Sequence, residues 1–140
     1  MRLHIIAFVF TAALAYAVTP RSDDASLTRN LVGSWQTDPA EGTSYSSVAT
    51  YKADGSALEL IWKTDEIEGS RMRVTSQWSI SDGVLVLRCV DSSDPSLIPI
   101  GLEIRDRIIS MTDDRLVFEA LDRQGQSDGQ RHTKLRKKSA

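Results

Sequence analysis

Histidine, cysteine and convergent carboxylates carry most chemistry near neutral pH, and this chain has few of the first two. Its histidines are His4 and His132, and its one cysteine is Cys89. A zinc site normally takes several His or Cys ligands, so no metal is expected. A Ser-His-Asp arrangement would have to be built on His132, which falls in a basic C-terminal segment. There is no Walker-type phosphate loop and no Gly-x-Gly-x-x-Gly after a strand. Asp65-Glu66-Ile67-Glu68 lacks the length and alternating oxygen ligands of an EF-hand and reads as a solvated loop. The residues therefore point to no enzyme and no cofactor.

Binding chemistry is better represented. Leu58, Leu60, Trp62, Met72, Val74, Trp78 and Phe118 fall on alternate positions of extended segments and are assigned to one apolar face. Such a set either lines a ligand cavity, which is usually apolar with a few polar groups, or fills a narrow interior. Arg73 and Arg88 are the charges to follow beside it. Arg88 shares alternation with Val84, Val86 and Val90; pointing inward, it could hold an anionic head group such as a carboxylate. Its other reading is an outward side chain opposite a face made of Leu85, Leu87 and Cys89. Cys89 lies among apolar neighbours and reads as a buried thiol acting as a small hydrophobe.

Compartment follows from the N-terminus. Arg2 precedes an apolar run from Ile5 to Ala15, too short to span a bilayer comfortably, and Ala15-Tyr16-Ala17 places small residues where a signal peptidase reads. Residues 1–17 are expected to be a signal peptide cleaved after Ala17, which makes the protein secreted or periplasmic. Membrane contact is expected only through that segment if it stays uncleaved. A lone cysteine forms no internal disulfide, so the exported domain must stand on its core. At 140 residues and 41% hydrophobic, the chain suffices for one such core. Its net charge of −2 excludes a global field for nucleic acid. Arg131, Lys134, Arg136, Lys137 and Lys138 cluster late but without interleaved aromatics, as a solvated last strand.

The elements that must position these residues are strands. Residues 18–26 read as a linker, with Asp24 as an N-cap candidate for a turn or two of helix carrying Leu27 and Leu31 and stopped by Gly33. From Ser34 the period changes to two, as in Met72, Val74, Trp78 and Ile80 against Arg73, Thr75, Gln77 and Ser79. Eight strands are predicted near 34–38, 44–53, 57–64, 71–80, 84–90, 102–111, 115–122 and 130–137. Asp54-Gly55 and Asp82-Gly83 are type I′ hairpin signals, and Asp113-Asp114 marks a third tight turn. Longer links alternate with them, including 91–101 with Pro95 and Pro99. Short turns would close one end of an up-and-down antiparallel barrel and long loops would surround the other. Eight strands is the size at which a barrel holds side chains or one small ligand.

Gly33-Ser34-Trp35 at the head of the first strand resembles the Gly-x-Trp signature of lipocalins and lipocalin-like domains. The resemblance covers residues 27–137. It implies an all-β, eight-stranded up-and-down lipocalin-like barrel over residues 27–140, with a short helical lead-in. It also implies that Gly33 and Trp35 belong to the closed end, with a basic side chain of the last strand over the Trp. Arg131 is the first choice for that partner, and Lys134 and Arg136 are the alternatives. The activity implied is binding of a small hydrophobic or amphipathic ligand by a monomer. The competing reading is a protein-interaction module, such as a protease inhibitor acting through its N-terminal segment or rim loops, although the cysteine pair expected of such inhibitors is missing.

Overall fold

The computed structural model describes residues 22–66 and 71–138. The signal-peptide reading of 1–17, and Ile67 and Glu68 of the acidic loop, lie outside the described residues. The chain runs α1 (Ser22–Leu31), β1 (Gly33–Thr37), a 3₁₀ turn (Pro39–Glu41), β2 (Tyr45–Tyr51), β3 (Ser56–Lys63), β4 (Met72–Ser81), β5 (Val84–Ser92), β6 (Glu103–Met111), β7 (Arg115–Leu121) and β8 (His132–Arg136). Each strand pairs antiparallel with its neighbours in sequence, and β8 pairs with β1 to close the barrel. Closure leaves no free sheet edge among these strands.

The expected linker is partly helix. Residues 22–26 form the first half of α1, and Asp24 lies inside the helix instead of capping it. Its carboxylate instead accepts the backbone N–H groups of Asp82 (2.8 Å) and Gly83 (2.9 Å) in the β4–β5 turn. Asp82 and Gly83 both have positive φ, at 51° and 72°, as the predicted type I′ turn requires. The β2–β3 turn differs from expectation. Gly55 alone has positive φ, its N–H donates to the Lys52 carbonyl, and Asp54 Oδ1 accepts the Ser56 N–H. That is a type I turn followed by a left-handed glycine, the three-residue hairpin solution.

Directly opposed residues in an antiparallel sheet share a face, so register decides what is inside. Trp35 faces Ala49 and Arg136, Ala49 faces Glu59, and Glu59 faces Val74. Tyr51 faces Ala57, which faces Ser76, which faces Cys89. The core gathers Leu31, Trp35, Ala49, Tyr51, Ala57, Trp78, Leu85 and Leu116, with Ile108, Met111 and Phe118 packed against it. Alanines opposite Trp35 and Tyr51 leave room for the aromatic rings. Tyr51 meets Trp78 edge to face, with centroids 5.6 Å apart.

This register reverses the face expected of β3. Ala57, Glu59 and Ile61 point in, and Leu58, Leu60 and Trp62 lie on the outer surface, with the Arg71 guanidinium 5.1 Å from the Trp62 ring centroid. Arg88 faces Gln77 and Glu103, all exposed, so it too is outside, as its second reading had it. Val74, Trp78 and Phe118 are inside as expected, and Met72, opposite Ile61, shares their face.

The closed end carries the second correction. Trp35 is fully buried and donates its indole N–H to the Leu31 carbonyl at 2.8 Å. Its basic partner is Arg136, whose guanidinium lies 4.2 Å from the ring centroid, and not Arg131. Arg131 precedes β8 and instead places Nε 3.7 Å from Glu119 Oε1 on the outside. Arg136 also donates to the carbonyls of Asn30, Val32 and Asp113, tying the end of α1 to the β6–β7 turn.

Candidate functional site

Above the aromatic core the barrel interior turns polar toward the open end, where the long connections lie. The inward positions there include Thr37 of β1, Ser47 of β2, Glu59 and Ile61 of β3, Met72 of β4, Asp106 of β6, Phe118 of β7, and His132 and Lys134 of β8. Lys134 Nζ stands 3.7 Å from Glu59 Oε1, and both side chains are half-buried. The 3₁₀ turn brings Glu41 over the same opening. Its carboxylate accepts the Thr133 N–H and lies 3.8 Å from His132 Nδ1. The His132 and Phe118 rings are stacked at a tilt, with centroids 5.5 Å apart, and Lys134 Nζ lies 5.8 Å from the Phe118 centroid.

One pocket at this end, of about 260 Å³, is walled by Thr37, Glu41, Tyr45, Phe118, His132 and Lys134. Deeper in, a gap bounded by Tyr51, Asp106, Leu116, Phe118 and Lys134 has no volume open to a water-sized sphere. Among the described residues the interior is filled at this depth, and the pocket lies at the mouth. Phe118 and Lys134 border both spaces. The mouth falls just short of the roughly 300 Å³ at which ordinary small-molecule pockets begin, so it suits a small ligand.

The electrostatics of this interior are unusual for a small barrel. The Asp106 carboxyl is raised to about 6 by burial, with Lys134 opposing, Glu59 adding and His132 opposing. The Tyr51 hydroxyl is pushed up to about 12, again by burial first, with Lys134 pulling down and Glu59 and Asp106 pushing up. Burial works against the charge of Lys134, yet Glu59, Tyr51 and Asp106 together push its ammonium upward. Neither the Tyr51 hydroxyl nor the Asp106 carboxylate is hydrogen-bonded to another described group. No side-chain polar atom sealed from solvent lacks a partner among the described residues.

Phe118, placed on the apolar face from its alternation, borders the mouth; Glu41, Tyr51, Glu59 and Asp106 are not singled out by the sequence, and Lys134, an alternative to Arg131 for the closed end, stands beside Glu59. One signal was legible: Asp106 alternates with Ile104 and Ile108, placing a carboxylate on an apolar stripe. Ile104 itself emerges at the exposed rim. The expectation that no nucleophile elbow exists needs one correction at the level of the motif. Gly125-Gln126-Ser127-Asp128-Gly129 spells Gly-x-Ser-x-Gly, the pattern of a nucleophile elbow. Here it forms the β7–β8 loop, the Ser127 hydroxyl accepts the Gly129 N–H at 2.9 Å, and a strand follows it instead of a helix. The strand-to-helix turn that gives the motif its chemistry is absent there.

Among the described residues, no three His, Cys, Asp or Glu side chains gather as a metal site, and no helix is long and apolar enough to cross a membrane. Cys89 is buried, with its thiol 3.4 Å from the Asp91 carbonyl. No protein-family model matches the chain, and no curated protein matches it.

Proposed function

We propose that this is an exported lipocalin-like barrel that binds a small amphipathic molecule at its open end. The observation that carries the reading is the 260 Å³ mouth pocket with an aromatic wall and a charged floor. Phe118, His132 and Tyr45 offer apolar area, and Lys134 and Glu41 offer polar anchors, the usual division of labour in a ligand site. A purely apolar ligand deep in the barrel is not part of the proposal, because the deep gap admits no water-sized sphere. Export rests on the apolar run from Ile5 to Ala15 and the Ala15-Tyr16-Ala17 that follows it. Native mass spectrometry of the protein purified gently from its own host tests the binding reading. A co-purified small molecule is expected, and its addition to ligand-free protein should shift the amide resonances of Thr37, Glu41 and Thr133. A molecule whose shifts fall elsewhere, or an empty spectrum, would remove it.

A second reading, an interaction module working through a rim loop, is favoured by one observation. Leu97 is 68% and Ile100 62% exposed in the β5–β6 connection, flanking Pro99. The N-terminal segment does not support this reading within the described residues, since α1 is held to the barrel through Asp24, Leu31 and Arg136.

A further inference from the structure

Among the described residues the exposed large apolar side chains are Val32, Tyr45, Val90, Leu97, Ile100 and Ile104. All but Val32 lie toward the open end, where β2 begins, β5 finishes and β6 begins. Leu97 and Ile100 are the most exposed of them, and the β5–β6 connection that carries them is pinned at both ends. The Ser93 N–H donates to the Arg73 carbonyl at 2.9 Å, and the Ser93 hydroxyl accepts the Arg73 N–H at 2.8 Å. The Gly101 N–H donates to the Cys89 carbonyl at 2.8 Å. Between these points the N–H groups of Leu97 and Ile98 both donate to the Asp94 carbonyl, at 3.1 and 3.0 Å, and Pro95 and Pro99 fix φ. The connection therefore holds two aliphatic side chains out in water instead of folding them onto the barrel. Apolar groups gathered in this way at one end of a molecule mark a contact surface.

We propose that the open end rests on a lipid bilayer, with Leu97 and Ile100 entering the boundary between head groups and acyl chains and Tyr45 touching it from across the mouth. β2 and the β5–β6 connection stand on opposite sides of the closed ring of strands, so a flat surface meets both. A protein partner fits less well. Hot spots between proteins favour Trp, Tyr and Arg seated in packed recesses, with Leu under-represented, whereas a projecting aliphatic tip needs no matching recess in a bilayer. Tyrosine is at home at the head-group level. Residues 91–101 carry Asp91 and Asp94 and no basic residue, and the neighbouring Arg105 is paired with Glu103 at 2.7 Å, so head-group charge contributes little. The contact is apolar and reversible, of the marginal strength that a single acyl chain gives. It does not require the mouth to hold a ligand. It does set Tyr45, which borders the mouth pocket, against the surface in which an amphipathic ligand dissolves.

The test is flotation of the protein, as its host exports it, with phosphatidylcholine vesicles, with and without added anionic phosphatidylglycerol, at low and high salt. Binding to both compositions that survives salt is expected. Leu97→Ser and Ile100→Ser should each weaken it about tenfold, and Val32→Ser at the far end should leave it unchanged. Leu97→Trp should still bind, and its added fluorescence should shift to the blue on vesicles, a readout local to this connection and independent of the N-terminal segment. Absence of both flotation and the blue shift overturns the proposal. Flotation that ignores both serine variants moves the contact to another part of the chain and overturns it as well. Binding confined to anionic vesicles and abolished by salt overturns the apolar contact in favour of an electrostatic one. Self-association in sedimentation that the serine variants remove, without flotation, overturns the bilayer and makes the patch an interface between copies.

Discussion

The Arg136 guanidinium covers the Trp35 ring at 4.2 Å, across the seam where β8 closes on β1. The two residues sit opposite one another in register, and Arg136 uses its remaining donors on three backbone carbonyls, from α1, from the residue after it and from the β6–β7 turn. One side chain therefore joins helix, first strand, last strand and a turn. A cation at the C-terminal end of α1 also complements the helix dipole.

Arg136→Ala should accordingly lower the unfolding free energy by about 2–3 kcal/mol in urea titrations, from the lost ring contact and charge-assisted hydrogen bonds. Arg131→Ala removes a loose 3.7 Å pair between an exposed guanidinium and the partly covered Glu119 and should cost about 1 kcal/mol or less. Arg136→Lys should recover little, because a point charge cannot reach the carbonyls as a planar fork does. Equal losses at positions 131 and 136 would contradict this account of the closed end.

Gly33 has φ +127°, and a Cβ there would lie 2.7 Å from Arg136 Nη1. Gly33→Ala should destabilise by about 1–3 kcal/mol through backbone strain and displacement of the guanidinium. Part of the loss should disappear in the Arg136→Ala background, where the steric conflict is gone and the strain remains. Thermal melts of the two single variants and the double variant measure that coupling.

Asp24 holds α1 to the barrel by accepting two backbone N–H groups of the β4–β5 turn. Asp24→Ala should cost about 1–2 kcal/mol, and amides of α1 should exchange faster while those of β2 and β3 stay protected. Hydrogen exchange read by mass spectrometry separates this local release from global loosening. Uniform acceleration over the whole barrel would refute the tether.

Asp106 makes stability depend on pH in a direction opposite to most carboxylates. Its folded carboxyl titrates near 6, above its ordinary value of 3.8, so between these values the folded state holds more protons than the unfolded one. Its contribution is complete below about pH 4 and is lost as pH rises through about 6, with an upper bound of about 3 kcal/mol. Asp106→Asn should flatten this part of the profile and be more stable than the natural protein at neutral pH. Urea unfolding of both proteins from about pH 4 to 8 checks the sign; a profile unchanged by the substitution would rule it out.

The face of β3 shows where local reading stops. Ala57-Leu58-Glu59-Leu60-Ile61-Trp62 carries apolar residues on both faces, and alternation alone favours the larger set, Leu58, Leu60 and Trp62, as inward. Pairing of Glu59 with Ala49 and Val74 places it the other way, and the whole strand follows because the side-chain period is two. In β4 one face is clearly polar, so the alternation places Val74 and Trp78 inward, where both are buried. The mouth pocket was mostly hidden, since Glu41, Tyr45 and Lys134 come from distant segments and no spacing announces them.

What the sequence determined by itself is what short-range chemistry decides. Alternation of apolar residues marked eight strands, Asp-Gly pairs marked hairpins whose positions follow from backbone preference, and Gly33 with Trp35 marked the first strand. Barrel closure decided the rest. It chose Arg136 over Arg131 for Trp35 because the β1–β8 register sets which basic residue lies opposite, a contact between residues about a hundred positions apart. It also turned Glu59, Asp106 and Lys134 toward one another inside the barrel. Charge in an interior is a property of three-dimensional neighbours, and only the assembled sheet supplies them.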